Sequence, residues 1–162
     1  MKLQGIIPPI ATPLLPDERV DERGLRRLVR YLLDAGVHGI FVNGSMGGFA
    51  LLADREIERA GADFVSVLPP YYFRLTQESA LRFFQEVARA VDRPLFIYNN
   101  PTLVGFSLEV ATVLELSHEP TIVGIKESDP TCDRWRRLLE AFRHREDFTI
   151  LLGTEVLMPI AL

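Results

Sequence analysis

The sequence is poor in the features that mark a specialised environment. Cys132 is the one cysteine, so no internal disulfide framework exists, and a reducing cytoplasm is the simplest expected setting. No apolar run reaches the roughly 18 residues that a membrane-crossing helix needs, so no membrane partner is expected. Basic charge is not in excess. The net charge of −4 and the spread of charged residues give no basic stripe of the kind nucleic acid requires. His38, His118 and His144 have no ligand-like spacing, so no metal is expected. No GxGxxG follows the first apolar run, and neither GKS nor GKT occurs. Those absences weigh against an open, doubly wound phosphate-binding domain, and no cofactor is expected. The amino-terminal stretch MKLQGIIPPIATPLLP has a lysine and an apolar run, but its prolines and missing small-residue cleavage site argue against a signal peptide. Low-complexity segments, short repeats and interdomain linkers are also missing.

What remains is a chain of 162 residues, 48% hydrophobic, long enough for one domain over 1–162 with a substantial core. Its short apolar runs are Gly5–Ala11, Gly39–Val42, Phe64–Leu68, Leu95–Tyr98, Thr121–Ile125 and Phe148–Leu152. They are continuous rather than alternating, as in parallel strands covered on both faces. Helical patterns lie between most of them. Asp21 can cap a helix that turns Leu25, Leu28, Val29, Leu32 and Leu33 inward and stops at Gly36. Thr76 can cap a second, with Leu81, Phe84, Val87 and Ala88 inward. Ser107 can cap a third, with Val110, Val113 and Leu114. Asp129-Pro130 can start a fourth, with Trp135, Leu138, Leu139 and Phe142. This alternation predicts an α/β fold with a parallel sheet. One interval breaks it. Between Gly39–Val42 and Phe64–Leu68 the helical candidate is Asp54–Ala60, about two turns.

In parallel α/β folds, ligands gather at the carboxyl ends of strands. There the sequence places Asn43-Gly44-Ser45-Met46-Gly47-Gly48, then Pro69-Pro70-Tyr71-Tyr72, Tyr98-Asn99-Asn100-Pro101, Lys126-Glu127-Ser128 and Gly153-Thr154-Glu155. The lysine within TIVGIKES, residues 121–128, is the notable one, since lysine is rarely buried without a partner. Pattern alone leaves two roles open. Lys126 can snorkel to solvent or pair with Glu127. Alternatively, its amine can condense with a ketone, and the protonated imine then serves as an electron sink for making or breaking a neighbouring carbon–carbon bond. Strand alternation puts Ile122, Gly124 and Lys126 on one face, with Gly124 leaving room beside the amine. Phe96 and Tyr98 share a face on the preceding strand. Tyr98 fits a core aromatic or a proton relay, Tyr71-Tyr72 fits loop packing, and Glu127, Asp129 and Asp133 read as solvated charges or caps.

Taken in order, these stretches resemble the dihydrodipicolinate synthase/N-acetylneuraminate lyase family. The matching motifs are GIIPPIATPL at 5–14, VNGSMGGF at 42–49, VLPPYY at 67–72, FIYNNP at 96–101, GIKES at 124–128 and LLGTE at 151–155. The resemblance spans nearly the whole chain. It implies a (β/α)8 barrel, a 2-keto acid such as pyruvate and an aldehyde as small-molecule partners, and assembly into a homo-oligomer. It makes Lys126 the Schiff-base lysine and Tyr98 the proton-shuttling tyrosine. Ser45 becomes a relay that also contacts the keto acid's carboxylate, and Met46 takes the adjoining carboxylate-contact position. Tyr72 becomes a tyrosine lent to a neighbouring subunit's site, and Gly153 a pocket-lining glycine.

The sequence also departs from that pattern. The third barrel strand, most of its flanking helices and the eighth strand have no counterpart, so an incomplete barrel of about six strands is expected. A full member would carry a few tens more residues between Gly48 and Tyr72. Gly48 replaces a common glutamate. Leu103 stands where dipicolinate synthases carry an arginine for the aldehyde substrate's carboxylate, which resembles the aldolase and lyase branches instead.

Overall fold

The computed structural model describes residues 3–42, 44 and 63–161. They divide between two compact units, Met1–Ala62 and Asp63–Leu162. Ser45, Met46, Gly47, Gly48 and the helical candidate Asp54–Ala60 lie outside the described residues.

In the first unit, the two expected strands reduce to one parallel bridge, Pro9↔Phe41. Its supports are the Phe41 N–H to Pro8 carbonyl bond at 3.0 Å and the Ile10 N–H to Phe41 carbonyl bond at 3.1 Å. Two consecutive prolines remove two N–H donors, so a longer ladder cannot form through them. Helix α1, Glu22–Asp34, follows as the sequence predicts, and Asp21 caps it by accepting from the Gly24 N–H at 2.9 Å. Leu25, Leu28, Val29 and Leu32 are half-buried, whereas Leu33 is exposed. At 100° per residue, Leu33 falls off the edge of the stripe made by the other four.

The second unit holds a four-stranded parallel sheet made of β1 Val65–Val67, β2 Leu95–Asn99, β3 Ile122–Glu127 and β4 Thr149–Leu152. Strand order follows chain order, β1-β2-β3-β4. The crossovers carry α2 Gln77–Ala90, α3 Pro101–Val104, α4 Val110–Leu116 and α5 Cys132–Ala141, and the short α6 Met158–Ala161 follows β4. Phe84 of α2, Val113 and Leu116 of α4, and Leu138 of α5 all pack with Leu95, Ile97, Ile122 and Ile125 on the same side of the sheet. Sequential strand order with helices on one side is the winding of a (β/α) barrel. A doubly wound sheet reverses its order and carries helices on both faces. The described strands form part of such a barrel. Among the described residues, no helix is long and apolar enough to cross a membrane.

Local chemistry accounts for most of these elements. Thr76 and Ser79 form a reciprocal capping box at α2, with the Ser79 N–H to Thr76 Oγ1 bond at 3.1 Å and the Thr76 N–H to Ser79 Oγ bond at 2.9 Å. Ser107 does not cap α4, contrary to the sequence reading. That helix begins after Glu109, and Gln77 of α2 reaches across to accept from the Glu109 N–H at 3.0 Å and the Thr112 hydroxyl at 2.8 Å. On α5, Trp135, Leu138 and Phe142 are buried as expected, but Leu139 is exposed.

Candidate active site

Lys126 is the penultimate residue of β3, and Tyr98 the penultimate residue of β2. The two are register partners, Tyr98↔Lys126. Alternation puts them on the face away from the helices, in a row that continues to Leu151 of β4. The Lys126 Nζ stands over the Tyr98 ring, 4.4 Å from its centroid. Both residues are half-buried. A cation above a tyrosine face is attracted by the ring's quadrupole, which draws the amine toward the phenol side.

Asn100 sets the phenol end. Its Oδ1 accepts from the Leu103 N–H at 3.2 Å, capping α3, and this orientation aims Nδ2 at the Tyr98 hydroxyl oxygen at 3.2 Å. The hydroxyl accepts there and keeps its own hydrogen to donate. Asn100 was not singled out from the sequence. An Asn immediately before Pro101 is an N-cap signal, and it could have been read as one.

The row behind the amine is Ser66↔Phe96↔Gly124↔Thr149. A Cβ on Gly124 would lie 2.3 Å from the Thr149 carbonyl oxygen and 2.5 Å from the Phe96 ring. The glycine therefore makes room for Phe96, not for space beside the amine as the sequence suggested. Phe96 in turn meets Phe64 edge to face at 5.7 Å. Ile122 is also corrected. The register shifts between Leu95↔Ile122 and Phe96↔Gly124, leaving Val123 as the extra residue. This irregularity turns Ile122 into the helix-side core beside Ile125, away from the face of Gly124 and Lys126.

Glu127 is neither a solvated charge nor the partner of Lys126. Its side chain is fully buried, paired with Arg134 of α5 through Oε2 and Nε at 3.1 Å. Its Oε1 accepts from Asn99 Nδ2 at 2.7 Å and the Asp129 N–H at 2.9 Å. Alternation explains this, because Lys126 and Glu127 are adjacent in sequence and face opposite sides of the sheet.

The other predicted site residues divide. Gly153 lies at the end of β4, where its N–H donates to the Glu127 carbonyl at 2.7 Å and the Ser128 hydroxyl reaches its carbonyl at 3.2 Å. A Cβ there would stand 2.1 Å from Ser128 Oγ and 3.0 Å from the Glu127 carbonyl oxygen, so a larger residue would have to push the serine hydroxyl off the Gly153 carbonyl. Tyr72 is 86% exposed, and its ring contact is with Phe73 at 5.1 Å. The structure does not bring it to Lys126. Ser45 and Met46 fall outside the described residues.

Comparison with known proteins adds a frame for this geometry. The dihydrodipicolinate synthetase family matches residues 2–59 and 50–162. A 4-hydroxy-tetrahydrodipicolinate synthase from Methanothermobacter thermautotrophicus is 30% identical, covering 96% of this chain and 68% of the relative. The crystal structure of dihydrodipicolinate synthase from Bacteroides thetaiotaomicron superposes with a TM-score of 0.88 at 30% identity, covering 98% of this chain and 65% of that one. YagE from Escherichia coli K12, solved in complex with pyruvate, gives 0.83 at 28% identity, covering 92% of this chain and 63% of that one. The chain thus spans about two thirds of the length of these relatives. The match to the Methanothermobacter enzyme runs over 193 positions, more than the 162 residues present here, so residues inside the matched span are missing from this chain. The family match breaks near residues 50–59, within the interval where the sequence lacks a full helix and strand. On both the sequence match and the shared fold, this chain belongs to the dihydrodipicolinate synthetase family.

Proposed function

We propose that this chain carries the lysine site of a Schiff-base-forming aldolase or lyase acting on pyruvate or a related 2-keto acid. The observation behind the proposal is the pairing of Lys126 with Tyr98 at the carboxyl ends of adjacent strands, amine over ring at 4.4 Å. The deprotonated Lys126 amine adds to the ketone carbon, and loss of water gives the imine. Once protonated, the imine draws electrons from the neighbouring carbon. Loss of a proton there gives an enamine that attacks an aldehyde, and the reverse sequence cleaves the bond. Tyr98 moves protons between these stages, its hydroxyl oriented by Asn100.

In this reading Ser45 relays protons and, with Met46, meets the keto acid's carboxylate. Gly153 lines the pocket wall beside Ser128. Tyr72 serves a neighbouring copy in a homo-oligomer, and its 86% exposure leaves it available to do so. Leu103, half-exposed just after Tyr98's strand, offers no cation to an aldehyde's carboxylate. That favours a sugar-derived 2-keto acid over dipicolinate synthesis.

The missing residues within the matched span support a second reading, a non-catalytic remnant or incomplete product of the same family. Reductive trapping separates the two. The protein is mixed with pyruvate, reduced with borohydride and mapped by peptide mass spectrometry. An adduct on Lys126, absent in Lys126→Arg, supports the enzyme. No adduct on protein with a cooperative thermal transition supports the remnant.

A further inference from the structure

We propose that Glu127, anchored by Arg134 and joined to Asn99, is a positioning residue that sets where Lys126 stands over Tyr98. The pair Asn99↔Glu127 is the last register pair of β2 and β3, one step beyond Tyr98↔Lys126. On the helix side, the Glu127 carboxylate gathers Asn99 Nδ2, the Asp129 N–H and Arg134 Nε. Asn99 extends the network, its Oδ1 accepting from the Leu108 N–H at 3.0 Å and its Nδ2 reaching Ser107 Oγ at 3.3 Å. One carboxylate thereby ties together two strand ends, the loop before α4, the loop before α5 and α5 itself.

Stability alone does not account for this arrangement. A buried ion pair is commonly no better than an apolar pair of the same size, because desolvation offsets the attraction. Here Arg134 Nη2 is buried without a hydrogen-bond partner among the described residues, which adds to that cost. Register is the property the network can fix. A one-residue slip would carry Lys126 to the helix face and Glu127 to the other. The sheet has reason to need a lock at this point, since the β2–β3 register has already shifted at Leu95/Phe96, just upstream. Glycine at 124 further weakens the strand's own preference there. The polar lock lies on the far side of the amine from the irregularity, one residue past Lys126, and holds Tyr98↔Lys126 to one definite pairing.

The catalytic consequence rests on the reading of Lys126 as the reacting amine, but the geometric claim can be tested without it. Lys2 and Lys126 are the two lysines, so protein labelled with 13C-lysine gives an assignable ε-methylene signal for Lys126. The Tyr98 ring beneath it shifts that signal upfield. Glu127→Leu alone strands the Arg134 charge, so the test variant is Glu127→Leu/Arg134→Met, which removes both charges. Asn99→Ser, which cuts the strand-to-strand link, is the second. In whichever variant unfolds cooperatively, the signal is expected to lose more than half of its upfield displacement. Pyruvate trapping is expected to slow by about tenfold to a hundredfold. An unmoved signal in a folded variant overturns the proposal, whatever the trapping rate. Loss of the cooperative transition in both variants also overturns it, because the network is then a stability element. If the unsubstituted protein forms no adduct, the Schiff-base reading fails by itself and the methylene signal alone decides the positioning claim.

Discussion

The two faces of β2 and β3 are made of alternate residues and do different work. On the helix side, Leu95, Ile97, Ile122 and Ile125 meet Phe84, Val113, Leu116 and Leu138 in a closed apolar cluster. On the other side, Phe96, Tyr98, Gly124 and Lys126 present an aromatic ring, a phenol, a gap filled by that ring and an amine. Neighbours in sequence thus differ in what they hold together. Removing an atom from the first face changes how much protein is folded. In the proposed function, removing one from the second changes what the folded protein can do. Asn99 and Glu127 connect the faces, being buried with the first and adjacent to the Tyr98–Lys126 pair of the second.

The comparison is sharpest where a substitution affects one face alone. Phe84→Ala opens a cavity in the apolar cluster and should lower stability by about 3–5 kcal/mol, read from denaturant unfolding. The remaining folded protein should trap pyruvate at an unchanged rate, and a reduced rate in that fraction would break the separation of faces. Tyr98→Phe keeps the ring under the amine and removes the hydroxyl. Proton exchange at the keto acid's reactive carbon should slow by about 10²–10⁴-fold. Loss of the Asn100 hydrogen bond should shift stability by no more than about 1.5 kcal/mol. Gln77→Ala removes the two hydrogen bonds that tie α2 to the start of α4 and should lower stability by about 1 kcal/mol with no effect on trapping.

Much of this was legible in the sequence because it depends on local rules. Continuous apolar runs placed β1 to β4 within a residue or two, and Asp21 and Thr76 marked their helices because a side-chain oxygen near its own backbone is a local interaction. The family motifs marked Lys126 and Tyr98, and the register then put them side by side. What was not legible depends on partners distant in sequence. Ser107 does not cap α4, and the start of that helix is held instead by Gln77 from 32 residues away. Glu127 looked solvated because its partners, Asn99 and Arg134, come from another strand and a later helix. The bulge that moves Ile122 to the core leaves no mark in a run of Thr, Ile, Val, Gly and Ile. The double proline at 8–9 was in plain view, and its missing donors explain why the first apolar run makes a bridge rather than a strand.

The most direct test of the Lys126–Tyr98 pair is deuterium wash-in to the pyruvate methyl group in D2O, followed by proton NMR. It requires both imine formation and proton movement, and it needs no knowledge of the aldehyde. The account predicts exchange well above the buffer rate for the protein and none above it for Lys126→Ala. Exchange at the buffer rate in cooperatively folded protein, or equal exchange by Lys126→Ala, would contradict it.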